Sequence, residues 1–376
     1  MKKTFVSVFL SGFSFDYGAV ISDKIKTNGQ AESGSLKDGF QNDSTATAWL
    51  RFPLAKDGRS YFVTEGYYNS NWKNLTDKTN NVLDVSLCEV TLKTPSSSKI
   101  KGTLNLGRFA LYDATCMIFA QAADGAMVTV ESGWGTFTAY GGYTGLLNAK
   151  STLYNTASTA GIDKDDVYVL DDPYAVAETS LLLPNLVGSQ SLSAEFLSAW
   201  DMDNGYDRMY VTGSLNGPVA NSVFYILSST LELSRSDRSS DWKPANLSKA
   251  SLTMYPGKVF SSLGLNGIFA SGDKDALNPF SVFTPGTSTI AGHIWSDVVK
   301  AGAFVTVKPV ENFLISGSGD AIFVASDNFS YNGFEWKCSL LWQVVSDFQL
   351  SGSASQFIPD SGDSTVELTL KTSLAL

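Results

Sequence analysis

The sequence holds one histidine, His293, and three cysteines, Cys88, Cys116 and Cys338. A lone imidazole removes most metal-site and acid–base chemistry that depends on several of them. The cysteines are odd in number, widely spaced and in no C-x-x-C arrangement, so neither a zinc site nor a disulfide framework is signalled. Charge is scarce as well: Asp, Glu, Lys and Arg make up 17% of 376 residues, against about 25% in ordinary soluble domains. No apolar run approaches the ~18–20 residues of a transmembrane helix, which excludes helical spans. The net charge of −10 lacks the cationic excess that a phosphate backbone needs, which argues against nucleic acid as a partner.

The missing charge is replaced by Ser, Thr, Gly, Asn and aromatics. Apolar residues are 43% and aromatics 12% of the chain, too many for disorder. Such a mixture suits long strands with one apolar and one uncharged-polar face. Period-2 alternation does recur along nearly the whole chain. Val366, Leu368, Leu370 and Leu374 share one parity against Glu367, Thr369, Lys371 and Ser373. Val299, Ala301, Ala303, Val305 and Val307 repeat the pattern against Lys300, Gly302, Phe304, Thr306 and Lys308. Each run lasts about ten residues, longer than the ~5–6 of a soluble sheet strand and close to the ~9–11 of a tilted membrane strand.

The connections alternate between tight and long. Tight links include 55–58, 94–98, 133–135, 186–189, 216–221, 256–258, 308–312 and 345–347. Between them lie mostly longer polar links at about 23–43, 70–80, 113–125, 147–176, 236–246, 271–295, 326–330 and 358–363, with a shorter one at 201–205. One rim of tight turns and one of loops is what an up-and-down barrel requires. The expected fold is therefore all-β: a single transmembrane antiparallel β-barrel over residues 1–376, with eighteen strands, sixteen as the alternative, and both termini on the tight-turn side. Met1-Lys2-Lys3 and the apolar stretch after it read as a secretory signal within residues 1–20, merging into the first strand.

By parity the lumen candidates are Arg51, Lys101, Glu195, Arg208, Lys249, Lys300, Asp320, Glu335, Lys337, Glu367 and Lys371. Singly, each is an ordinary charge on a wetted wall; together they set the field that a solute crosses. Two connections, 113–125 and 147–176, are candidate constrictions. Arg108 and Asp113 flank the first and are expected to anchor it to the wall. Asp163, Asp165, Asp166, Asp171 and Asp172 would give the second a negative field. No cofactor is expected, a loop-held calcium ion being the one alternative. A serine triad would have to use His293, which has no Gly-x-Ser-x-Gly elbow beside it. Carboxylates are scattered singly rather than paired for glycoside chemistry. No enzyme is expected.

One region resembles a known family. Leu104-Asn105-Leu106-Gly107-Arg108-Phe109, Asp113-Ala114-Thr115, Ile118-Phe119-Ala120-Gln121, Asp124-Gly125 and Gly142-Tyr143-Thr144-Gly145-Leu146-Leu147 resemble the outer-membrane β-barrel proteins of treponemal spirochaetes. More distantly, Leu-Gly-Arg followed by Asp-Gly is similar to alginate-export-type porin barrels. The resemblance implies an outer-membrane location and a porin-like role. The expected function is passive or weakly selective diffusion of small hydrophilic solutes, with outer-membrane lipid around the wall and both termini in the periplasm. The alternative is a surface adhesin or antigen whose loops bind a host or matrix ligand while the barrel serves as an anchor.

Overall fold

Alternating stretches become strands because one parity can face hydrocarbon while the other faces a polar interior. The computed structural model describes residues 15–30, 36–74, 78–144, 174–202, 205–257, 260–274, 276–284 and 286–376. Among them are eighteen strands and no helix. The first nine are β1 (Asp16–Gln30), β2 (Leu36–Pro53), β3 (Tyr61–Lys73), β4 (Lys78–Lys93), β5 (Lys101–Tyr112), β6 (Ala120–Ser132), β7 (Gly135–Tyr143), β8 (Tyr174–Val187) and β9 (Gln190–Asp201). The rest are β10 (Asp207–Ala220), β11 (Val223–Arg235), β12 (Lys243–Met254), β13 (Phe260–Ala270), β14 (Val298–Val310), β15 (Phe313–Val324), β16 (Ser330–Val345), β17 (Phe348–Pro359) and β18 (Thr365–Ala375).

Each strand pairs antiparallel with its neighbours in sequence, and β1 pairs with β18 from Val20↔Ala375 to Gln30↔Thr365. The sheet is closed, so no edge runs the full height of the wall, as a bilayer demands. Parity sorts the faces. Val211, Leu231, Leu265 and Leu368 are between 44% and 60% exposed on the outside. Thr212, Thr230 and Glu232, on the inner parity of β10 and β11, are at most 2% exposed.

The structure moves several sequence-derived boundaries. The stretch 23–43, expected as a loop, is mostly wall: β1 and β2 stay paired through Asp23↔Ser44, Lys24↔Asp43 and Lys26↔Gln41. Both faces are polar there (Ser44 donates to Asp23 at 2.6 Å), so the apolar period vanishes while the backbone ladder continues. Lys243 already belongs to β12, and Tyr174–Val176 to β8. Asp16–Val20 is part of β1, and residues 1–14 of the expected leader lie outside the described residues.

Among the described residues the wall is continuous except at one hairpin. β5 pairs with β4 only from Lys93↔Thr103 to Cys88↔Arg108. β6 pairs with β7 only from Asp124↔Tyr143 downward. The tip of the β5–β6 hairpin, Phe109–Ala123, therefore leaves both neighbouring strands. Gly107 sits at the departure with φ +117°, where an added Cβ would collide with the Cys88 carbonyl. Gly107→Val should cost about 1–3 kcal/mol, the usual strain of such a backbone in a residue other than glycine. Its midpoint in detergent–urea refolding should fall accordingly, and an unchanged midpoint would remove the hinge assignment.

Candidate functional site

Among the described residues, two connections fold into the barrel and meet. The first is 113–119, between β5 and β6. Asp113 shapes it: its Oδ1 accepts the N–H groups of Ile118 and Phe119 at 2.9 and 2.8 Å, and its Oδ2 accepts that of Thr115 at 2.7 Å. The turn reaches across to β9, where Ala114 donates its N–H to Glu195 at 2.7 Å. Glu178 on β8 lies close enough to interact electrostatically with both Asp113 and Glu195.

The second is 271–297, between β13 and β14. Phe280, Val282 and Phe283, at most 3% exposed, enter the lumen. Phe283 stacks on Phe119 with ring centroids 5.3 Å apart. The backbones join as well, since Phe283 and Thr284 donate to the Ile118 carbonyl at 3.0 and 2.9 Å.

Irregular backbone buried away from water must find partners for its N–H and C=O groups. Here the wall supplies them through charged side chains, which form the stronger hydrogen bonds. Glu232 accepts the Ser281 N–H and Glu335 accepts that of Ile290, both at 2.7 Å. Arg208 donates to the Val282 carbonyl at 3.2 Å, and Lys300 to that of Ser288 at 2.8 Å. The Arg208 guanidinium lies over the rings of Tyr206, Phe283 and Tyr174 at 4.5, 4.7 and 5.4 Å, an arrangement that rewards a desolvated cation. Lys300 in turn lies 3.5 Å from Asp320 and 3.8 Å from Glu335.

The sequence-derived lumen residues thus divide. Glu195, Arg208, Lys300, Asp320 and Glu335 belong to the network that holds the inward segments. Arg51 stacks on Tyr61 at 4.0 Å near the tight-turn rim. Lys101 stands opposite Glu131, Glu367 pairs with Lys26 at 2.8 Å, and Lys249 lies close enough to act electrostatically on Cys116. Lys337 and Lys371 line open recesses.

Arg108 acts at the far end of 113–125. Its side chain clamps Asp124 at 2.9 and 2.7 Å and reaches the Val85 carbonyl at 3.2 Å, fastening the inward hairpin to β4. The inward turn is also shorter than 113–125, because Ala120–Asp124 is already β6. Asp163, Asp165, Asp166, Asp171 and Asp172 lie outside the described residues. Asp207 pairs with Arg235 and accepts the Asp201 N–H at 3.0 Å. His293 packs edge-on to Phe357 at 5.1 Å, and its Nδ1 makes no hydrogen bond among the described residues.

Parity in Leu231-Glu232-Leu233 could have found Glu232. Phe280, Val282 and Phe283, apolar residues alternating within a long connection, were a signal that 271–297 is buried rather than displayed.

Among the described residues the infill is one-sided. The apolar cluster inside the barrel, including Leu197, Leu247, Phe280 and Ile322, draws on strands between β5 and β17. The sector facing β1–β4 and β16–β18 is polar and keeps two recesses of about 630 and 230 Å³. The result is a closed eighteen-strand up-and-down barrel narrowed by inward connections.

The chain is similar to Pseudomonas aeruginosa OccK2 (OpdF), with TM-score 0.67 and 11% identity over 99% of both chains. It is similar to P. aeruginosa OpdQ, with TM-score 0.63 and 14% identity over 96% of this chain and 98% of that one. Acinetobacter baumannii OccAB4 gives TM-score 0.63 and 11% identity over 96% and 98%. At these identities the likeness is one of fold. No protein-family signature and no curated relative matches the sequence.

Proposed function

We propose that the protein is an outer-membrane channel for passive, weakly selective diffusion of small hydrophilic solutes, with the tight turns and both termini in the periplasm. The observation that carries this reading is the asymmetric lumen among the described residues: apolar infill held by wall charges on one side, a polar sector with two recesses on the other. A solute path then runs along the inner faces of β1–β4 and β16–β18. The fold shared with the Occ and Opd structures supports it.

A natural reporter tests it. Cys116 is exposed at the apex of the inward 113–119 turn, whereas Cys88 and Cys338 stand on the outer parity. A bulky, membrane-impermeant thiol reagent should reduce the conductance of single channels in a planar bilayer and should do nothing to Cys116→Ser. Partial desolvation, and then the neighbouring Asp113, push the Cys116 thiol above its ordinary range. The thiolate is the reactive form, so blocking should be slow near neutrality and quicken as pH rises. Conductance indifferent to the reagent would place the turn away from the path; a protein with no conductance at all would favour a plugged anchor.

A further inference from the structure

Asp23 lies on the outer parity of β1. Its register partner on β18 is Thr372, which shares its face with the exposed Leu370 and Leu374. Along its own strand Asp23 stands between Ile21 and Ile25, 49% and 42% exposed. A carboxylate is thus set on the outside of the wall, flanked above and below by apolar side chains.

It heads a polar row that crosses four strands. The register runs from Asp23 to Ser44, Ser70 and Asn81, and Asn42 is the next outward residue of β2 on the loop side. Ser44 donates to Asp23 at 2.6 Å, and the Tyr68 hydroxyl donates to the Asn81 side-chain oxygen at 2.9 Å. Donors are left over. The amide nitrogens of Asn42 and Asn81 and the Ser70 hydroxyl have no acceptor among the described residues. Asp23 accepts from Ser44 alone there, with no cation within ion-pair distance.

Hydrocarbon offers these groups no partner, and an ionisable side chain on the lipid side of a barrel costs more the nearer it lies to the midplane. An anionic lipid headgroup is a poor cover, because the row holds a carboxylate and no cation. The row is complementary to itself, since it contains both the unmet acceptor and the unmet donors. A two-fold contact sets a patch against the same patch of a second copy, so each copy's amides can serve the other's carboxylate. The surrounding wall permits close approach. Ala46 and Ala48 continue the outward line of β2, with Gly66 opposite Ala48, and small residues of this kind let membrane segments pack tightly. Leu83, 68% exposed on β4, is a knob for that flat surface.

We infer that the outer face of β1–β4 is where two copies of this chain pair side by side in the membrane, about a two-fold axis. The inference goes beyond the channel reading and is separable from it, since pairing on the outside leaves each lumen as it is.

The experiment counts copies per particle by native mass spectrometry of protein released from nanodiscs of phosphatidylethanolamine and phosphatidylglycerol. Energy transfer between donor- and acceptor-labelled copies in vesicles of the same lipids gives the dissociation constant. Wild type should show two copies. Asp23→Leu should weaken pairing about tenfold or more, as expected when hydrogen bonds to a charged group are lost. Ala46→Trp, which fills the flat surface, should weaken it as well, whereas Leu231→Ala on the outer parity of β11 should not.

Asp23→Leu takes a carboxylate off an apolar surface, so its refolding midpoint should equal or exceed that of wild type. That separates lost pairing from lost fold. One copy per particle at every protein-to-lipid ratio, three copies, or Asp23→Leu pairing as wild type does would each overturn the inference. A single copy carrying a lipid that Asp23→Leu releases would overturn it too, and give the face to that lipid. Conductance tests the channel separately, so a paired but non-conducting protein would leave this inference standing and remove the other.

Discussion

Replacing Lys274–Ile290 with a short Gly-Ser link should raise single-channel conductance several-fold while leaving a barrel that still resists unfolding in detergent. The segment occupies lumen: Phe280, Val282 and Phe283 fill it, and Phe283 stacks on Phe119 of the other inward turn. It contributes little to the ladder, because β13 and β14 pair directly from Ala270↔Val298 to Phe260↔Val307. Closure of the sheet therefore does not depend on it. Breaking a buried ionic network ordinarily leaves an uncompensated charge and costs several kcal/mol. Here removal of the segment would admit lumen water to Arg208, Glu232, Glu335 and Lys300, so the charges it exposes become hydrated. The barrel should survive, and the 113–119 turn, deprived of Phe283 and Thr284, should loosen. Conductance equal to wild type in a properly folded variant would show that the path does not pass this segment.

That segment also marks where the sequence stops being legible. Strand number, closure and parity could be read because every strand repeats a local rule of period 2, and a one-residue slip would exchange the faces of a whole strand. Alternation such as Arg208, Tyr210 and Thr212 against Met209, Val211 and Gly213 thus placed the wall charges on the inner face. What the wall charges touch could not be read. Glu195 meets Ala114, 81 residues earlier, and Arg208 meets Val282, 74 residues later. Such partners depend on how loops cross the lumen, which no local pattern specifies. The same limit explains Arg108, whose partner Asp124 lies opposite in the hairpin register rather than beside it in sequence. Lys24 and Lys26 were hidden for another reason, lying in a stretch polar on both faces.

The assignment of faces carries the second large effect. Val305 and Leu370 stand on the outer parity near the middle of β14 and β18, 36% and 48% exposed. Val305→Arg or Leu370→Arg would set a guanidinium against hydrocarbon, at a cost of about 2–4 kcal/mol near the bilayer midplane. Each residue has a neighbour that serves as an internal control. Thr306, opposite Ser262 and Ser316, and Thr369, which lines the smaller recess with Lys337, face the water-filled side. Thr306→Arg and Thr369→Arg can extend into solvent with their hydration intact, so their refolding midpoints in lipid vesicles should stay near wild type. The contrast isolates burial in lipid, because each pair sits at one height in one strand and receives the same side chain. Equal losses within each pair would mean that both parities meet similar surroundings, and an apolar-outside, wet-inside barrel would then be untenable.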